Sequence, residues 1–153
     1  MANTYTQLYV QLVFAVKHRE ALITPEIKNR VEQYICSIAS NHKCKPISVF
    51  CNPDHTHLFL SMKPDVTCSS IVQKIKSSTS LFINNNHLAK THFEWQTGFG
   101  AFSYAKSQTD AVCKYIMNQE AHHKKVFFRE EYMKMLKAFE VEYKEDYLFE
   151  WLF

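Results

Sequence analysis

Two short stretches of the chain carry side chains that can do chemistry together. The first is Asp54-His55-Thr56-His57-Leu58-Phe59-Leu60, which follows the turn sequence Asn52-Pro53-Asp54 and reads as a strand leaving a hairpin. Residues at i and i+2 of a strand project to the same face. His55 and His57 therefore stand side by side, which is half of a divalent-metal site. Alone, the pair also fits one surface histidine and one packed on a neighbour. The second stretch is Tyr115-Ile116-Met117-Asn118-Gln119, with His122-His123 beyond it. A spacing of four puts Tyr115 and Gln119 on one helical face, and the two histidines continue that face. Glutamine offers a neutral carbonyl oxygen that a hard divalent ion accepts. A phenol with a pKa of about 10 is a poor nucleophile unless its electrophile is activated by a nearby metal. Taken alone, this helix also reads as an amphipathic one with its tyrosine half buried.

The elements that must position these groups follow from periodicity. Leu8, Val10, Leu12, Phe14 and Val16 alternate within Tyr5 to Val16, a strand with one buried face. Thr24-Pro25-Glu26 is an N-cap, a first-turn proline and a first-turn acid. Ile27, Val31, Tyr34, Ile35 and Ile38 carry that helix to about Asn41. Lys45-Pro46 interrupts the pattern before a second strand over Ile47, Val49 and Cys51, and His55 to Met62 is the third. A Thr67 or Ser69 cap opens a second helix that ends at Asn84-Asn85-Asn86. A short strand around Ala101 to Tyr104 precedes a helix from Ala111 to about Lys124 and a last one from Arg129 to Glu142.

The order β-α-β-β-α-β is the ferredoxin-like (RRM-like) α+β arrangement, an antiparallel sheet with helices on one face. Here it is followed by the tyrosine helix and a C-terminal helix, and the other sheet face is left free for a site. Many unrelated functions use such sheets.

Gross composition sets limits. The chain has 153 residues, 46% hydrophobic, with 2 Gly and 4 Pro, so one compact domain over residues 1–153 is expected. A formal charge of +3 permits a nucleic-acid partner without demanding one. The cysteines at 36, 44, 51, 68 and 113 form no CxxC pair, which reads as reduced thiols in a cytoplasmic protein. No apolar stretch is long enough to span a membrane.

Together, Asp54 to Leu60, Trp95-Gln96-Thr97-Gly98-Phe99 and Tyr115 to Gln119 with His122-His123 resemble the single-tyrosine HUH transposases. These are the transposases of small insertion sequences that move as single-stranded DNA. The resemblance runs in register over nearly the whole chain. One departure is Thr56, where the family has a bulky hydrophobic residue; it points away from both histidines. The resemblance implies that His55, His57 and Gln119 bind Mg²⁺ or Mn²⁺. It implies that Tyr115 attacks a phosphodiester to give a 5′-phosphotyrosine and a free 3′-OH. It further implies a substrate of single-stranded DNA with imperfect hairpins at the ends of an insertion sequence. The expected assembly is a homodimer in which the tyrosine helix of one subunit can complete the other's site, with Ser103 to Gln108 as a candidate hinge.

For phosphate contacts the sequence offers Arg19 and Lys76 first, then Lys17 and Lys74, with Phe93, Trp95 or Phe99 as base-stacking candidates. The aromatic tail from Glu140 to Phe153 caps the core, packs on a partner or frays; the sequence does not choose. Three rivals stand beside this reading. One is a domesticated relative acting on chromosomal repeat hairpins. A second is a non-catalytic ferredoxin-like module that binds nucleic acid on its open sheet. The third, a closed zinc site, lacks the four Cys/His ligands such sites use.

Overall fold

The computed structural model describes residues 3–149. Strands β1 (Tyr9–Ala15), β2 (Cys44–Cys51), β3 (His55–Met62) and β4 (Gly100–Tyr104) form one sheet in the order β2-β3-β1-β4. Every pairing in it is antiparallel. Helix α1 (Pro25–Asn41) links β1 to β2, and α2 (Cys68–Asn85) links β3 to β4. This is the ferredoxin-like order expected from the sequence.

Two strand limits differ from the periodicity, each for a physical reason. β1 begins at Tyr9 rather than near Tyr5, because the ladders from β3 and β4 run out at Tyr9 opposite Ser61 and Tyr104. β2 begins at Cys44, upstream of Pro46 rather than after it. β2 is an edge strand, where a missing N–H is tolerated, and the register shifts between Pro46 and Ser48.

Alternation along the strands builds two faces. Leu12, Phe14, Leu58 and Leu60 turn toward α1 and α2, where Val31, Ile35, Ile71 and Ile75 complete the main core. Thr56 is buried on this side, its hydroxyl donating to Cys51 Sγ at 3.4 Å. The opposite face, left free in the sequence reading, is covered by three further helices: α3 (Thr109–Met117), α4 (Gln119–His123) and α5 (Phe128–Ala138). Val112 and Ile116 of α3 pack on Phe59. Phe128, Tyr132 and Leu136 of α5 pack on Val13, Ala15 and Phe102. Apolar residues on both helices close that face, and the polar groups of β3 are trapped beneath it.

The expected single helix from Ala111 to Lys124 is broken at Asn118 (φ −96°, ψ 14°). The break is short, since the Asn118 N–H still donates to Lys114 O at 3.0 Å and the His122 N–H to Asn118 O at 2.9 Å. Helix α5 stops at Ala138, four residues before the expected end. Glu140 turns left-handed (φ 54°) and the Val141 N–H donates to Leu136 O at 2.9 Å, a Schellman-type stop. Of the aromatic tail, Phe149 is buried against Phe128 and Tyr132; Trp151 and Phe153 lie outside the described residues.

Gly100 at the start of β4 marks a close approach of α5 to the sheet. A Cβ there would meet Tyr132 Oη at 2.6 Å and Cε1 at 2.8 Å. Because Tyr132 is itself buried, Gly100→Ala is expected to cost about 1–3 kcal/mol through overpacking. Chemical denaturation checks this; an unchanged midpoint would show that the Tyr132 ring moves aside freely.

Candidate active site

The site lies between β3 and the covering helices. His55 and His57 project from β3 onto the face beneath α3–α5, as their spacing requires, and both are essentially fully buried. Tyr115 comes from α3, Gln119 and His123 from α4 and Glu131 from α5. Tyr115 donates its hydroxyl hydrogen to Glu131 Oε2, and its ring stands edge-on to His57 with centroids 5.8 Å apart. The chain thus brings Tyr115, His55, His57 and Gln119 together at one place.

Each of three imidazoles is fixed through its Nδ1. His55 Nδ1–H donates to Asp54 Oδ1 at 2.7 Å, His57 Nδ1–H to Gln11 Oε1 at 2.7 Å, and His123 Nδ1–H to Val126 O at 2.8 Å. These acceptors are themselves held. Arg19 grips Asp54 through Nε at 3.0 Å and Nη2 at 2.6 Å, and Gln11 Nε2 donates to the Tyr104 hydroxyl at 2.9 Å. An imidazole that spends its Nδ1–H on an acceptor turns the lone pair of Nε2 inward, the arrangement that protein metal sites use to orient histidine.

The inward atoms converge. His55 Nε2 lies 3.2 Å from His123 Nε2, and Glu131 Oε1 lies 3.2 Å from His57 Nε2 and 3.1 Å from His123 Nε2. His55, His57, His123 and Glu131 offer four ligand atoms that all lie within 4.8 Å of one another. Gln119 is fully buried beside this group; its Oε1 lies 2.9 Å from His123 Nε2 and also accepts from Asn52 Nδ2 at 3.1 Å. Nitrogens and oxygens crowded this closely are joined either by protons on Nε2 or by a cation among them. The donor set therefore fits a divalent metal.

Electrostatics agree. Burial opposes charge on Glu131, yet hydrogen bonds from His123, His55 and His57 hold its carboxyl far below the usual range. Burial also opposes charge on Asp54, but the hydrogen bonds from His55 and Arg19 bring it to about 2. His57 is pushed down by burial. Tyr115 is pushed well up, by burial first and by the Glu131 charge next. Without a cation, the phenol is therefore held protonated.

The sequence did not point to Glu131. Its signal was a carboxylate on an apolar helix face: Phe128, Glu131, Tyr132, Met135 and Leu136 fall at i, i+3, i+4, i+7 and i+8. In the sequence, Asn52 carries only turn chemistry and His123 only continues the Tyr115 face.

The candidate DNA-contacting cations divide. Arg19 is committed to Asp54 and lies over the Phe128 ring at 5.2 Å, so it braces the site. Lys76 Nζ donates to Gln96 O at 2.8 Å and Gly98 O at 2.6 Å, and burial lowers its pKa to about 8. Lys17 and Lys74 present exposed side chains, Lys17 pairing with Glu94 at 2.9 Å. Phe93 is fully buried, and Trp95 packs edge-on against it and Phe14 while its indole N–H donates to Thr79 Oγ1 at 2.9 Å. Core packing claims Phe93, while Trp95 and Phe99, both half-buried against the main core, keep part of their rings exposed.

No helix among the described residues is long and apolar enough to cross a membrane. Against solved structures, the fold aligns with a crystal structure from Deinococcus radiodurans described as a transposase. The TM-score is 0.62 at 19% identity, covering 78% of this chain and 95% of that one. It also aligns with a REP-associated tyrosine transposase bound to a REP hairpin, with a TM-score of 0.60 at 15% identity, covering 82% of this chain and 74% of that one. In sequence, the chain is 23% identical over 118 residues to the ISDra2 transposase TnpA of Deinococcus radiodurans, covering 74% of this chain and 84% of that protein. Residues 4–119, from the first described strand's approach to the start of α4, match the family described as transposase IS200-like. The chain belongs to the IS200-like transposase family.

Proposed function

We propose that the chain cleaves and rejoins single-stranded DNA through Tyr115, with a divalent ion at the buried histidine cluster, as one nuclease and strand-transferase domain. The observation that carries this reading is the convergence of a tyrosine hydroxyl and a metal-type donor set within one buried site. His55, His57 and Gln119 would hold the ion, with His123 and Glu131 facing the same point. A bound Mg²⁺ or Mn²⁺ supplies Lewis-acid polarisation of the scissile phosphate.

The chain's own groups do the rest. Glu131 holds the Tyr115 hydroxyl beside the cluster, so the nucleophile is positioned before substrate arrives. Attack by Tyr115 Oη on phosphorus forms the Tyr–O–P bond and breaks the P–O3′ bond, leaving a 5′-phosphotyrosine and a 3′-OH. The reverse attack by a 3′-OH rejoins strands with no other energy source, because the phosphotyrosine keeps the ester bond. Lys17 and Lys74 are the cations best placed to track phosphates. The hairpin held by the REP-associated relative makes an imperfect DNA hairpin the substrate to try first. Tyr115 sits beside its own chain's histidines, so a homodimer of the kind the family suggests needs no exchange of helices to complete each site.

The test is a denaturing gel of protein incubated with labelled single-stranded oligonucleotides carrying such hairpins. A slow covalent band that needs Mg²⁺ or Mn²⁺ and disappears with chelator is expected. Tight binding with no covalent band under any metal would instead favour the non-catalytic binding module.

A further inference from the structure

We propose that the cavity beside Tyr115, between α3 and α5, holds the base of the nucleotide that stays joined to the tyrosine after cleavage. We infer further that it favours bases rich in carbonyl acceptors over adenine. The inference rests on the reading of Tyr115 as nucleophile and adds what the protein reads next to the cut. The cavity measures about 400 Å³, within the roughly 300–1,000 Å³ of small-ligand sites. Tyr115 and Glu131 both stand in its wall, so its occupant lies against the attacking oxygen. Most of the wall is apolar, made by Val112 of α3 and by Met135 and Ala138 of α5. Phe139 adds an aromatic ring that packs on Phe102 and Tyr104 with centroids 5.0 and 5.3 Å away, yet stays 38% exposed. Apolar walls and a braced, accessible ring suit a flat base, which stacks whatever its sequence.

The polar groups in the wall give the preference. Tyr104 accepts from Gln11 Nε2 at 2.9 Å, and its own hydroxyl hydrogen is left to donate. Gln108 spends its Oε1 on the Ala105 N–H at 2.8 Å, which leaves its Nε2 hydrogens unspent. The acceptors are already committed: Gln11 Oε1 to His57 and Glu131 Oε2 to Tyr115 and Gln119. Donors without free acceptors match the carbonyl edges of thymine, guanine or cytosine and leave the adenine amino group unpaired.

Stereochemistry selects the nucleotide. Attacking and leaving oxygens lie roughly in line across phosphorus, so the 3′-OH departs on the side away from Tyr115. The nucleotide retained through its 5′-phosphate extends sideways from the reacting centre, and its base is the one that can enter a cavity walled by the tyrosine.

The experiment incubates the protein and Mn²⁺ with single-stranded hairpin oligonucleotides whose flanks are randomised, then sequences the covalent adduct and the released 3′-OH product. Adenine is expected about five- to tenfold under-represented at the first nucleotide of the adduct. Tyr104→Phe is expected to flatten that bias. An abasic residue at the same place should slow adduct formation by about tenfold in the wild type, and Ala111→Trp, which plugs the cavity, should erase the difference between base and abasic substrates. Equal recovery of the four bases in the wild-type adduct overturns the proposal, as does a bias confined to the nucleotide that leaves with the 3′-OH. Either result keeps Tyr115 as nucleophile, because an adduct has formed. No adduct at all defeats that reading and this inference with it.

Discussion

Tyr115→Phe is expected to reduce covalent protein–DNA product to background while leaving the fold and hairpin binding in place. Phenylalanine keeps the ring that packs beside Val112 and Ile116 over Phe59, so the cover on the sheet is retained. What is lost is one oxygen and its donation to Glu131. A hydrogen bond to a charged group contributes about 1.5–3 kcal/mol at most. Glu131 retains Gln119 Nε2 at 2.9 Å and the histidines on its other oxygen, so the stability loss falls at the low end of that range. On the proposed mechanism the chemical loss is total, because the oxygen removed is the attacking one. The three other tyrosines near this face are engaged elsewhere: Tyr9 packs on Phe59, Tyr104 accepts from Gln11 and Tyr132 is buried against Phe102 and Phe149. A covalent band of wild-type intensity from the Phe variant would remove Tyr115 as nucleophile, and a variant that fails to bind hairpin would show that the hydroxyl serves the DNA interface.

What the sequence made legible follows the range of its physical rules. Alternation put His55 and His57 on one face and Thr56 on the other, because strand geometry is local. The four-residue spacing put Tyr115 and Gln119 on one side even though the helix breaks at Asn118, since α-type hydrogen bonds continue on either side of the break. Glu131 escaped for the opposite reason. Its partners lie on other elements, His55 and His57 on β3 more than seventy residues earlier and Tyr115, Gln119 and His123 on α3 and α4, and no local period links a carboxylate on α5 to them. The same is true of Arg19, a plausible phosphate contact in the sequence. A left-handed turn at His18 and Arg19 (φ 58° and 52°) returns it to Asp54, a pairing that only tertiary structure creates.

Replacing both His55 and His57 by alanine is expected to lower cleavage by about a thousandfold or more and to abolish its response to added metal, while hairpin affinity stays within a few-fold. Metal polarisation of a phosphoryl oxygen is worth several kcal/mol, and each 1.36 kcal/mol is a factor of ten in rate. Binding should survive because both imidazoles are essentially fully buried, whereas Lys17 and Lys74, the cations proposed to meet phosphates, are exposed. The double variant leaves Asp54 and Gln11 without their histidine partners, but Arg19 still pairs with Asp54 and Tyr104 still accepts from Gln11. The scaffold around the vacated site therefore keeps its main ties, and circular dichroism should report an unchanged fold. Gel shift and cleavage assays on the same preparation separate the outcomes. Retained binding with lost cleavage divides recognition from chemistry. Loss of both together would place the histidines in the DNA interface. Cleavage that persists at the wild-type rate would mean that the buried cluster is a structural polar network and that the reactive phosphate is activated elsewhere.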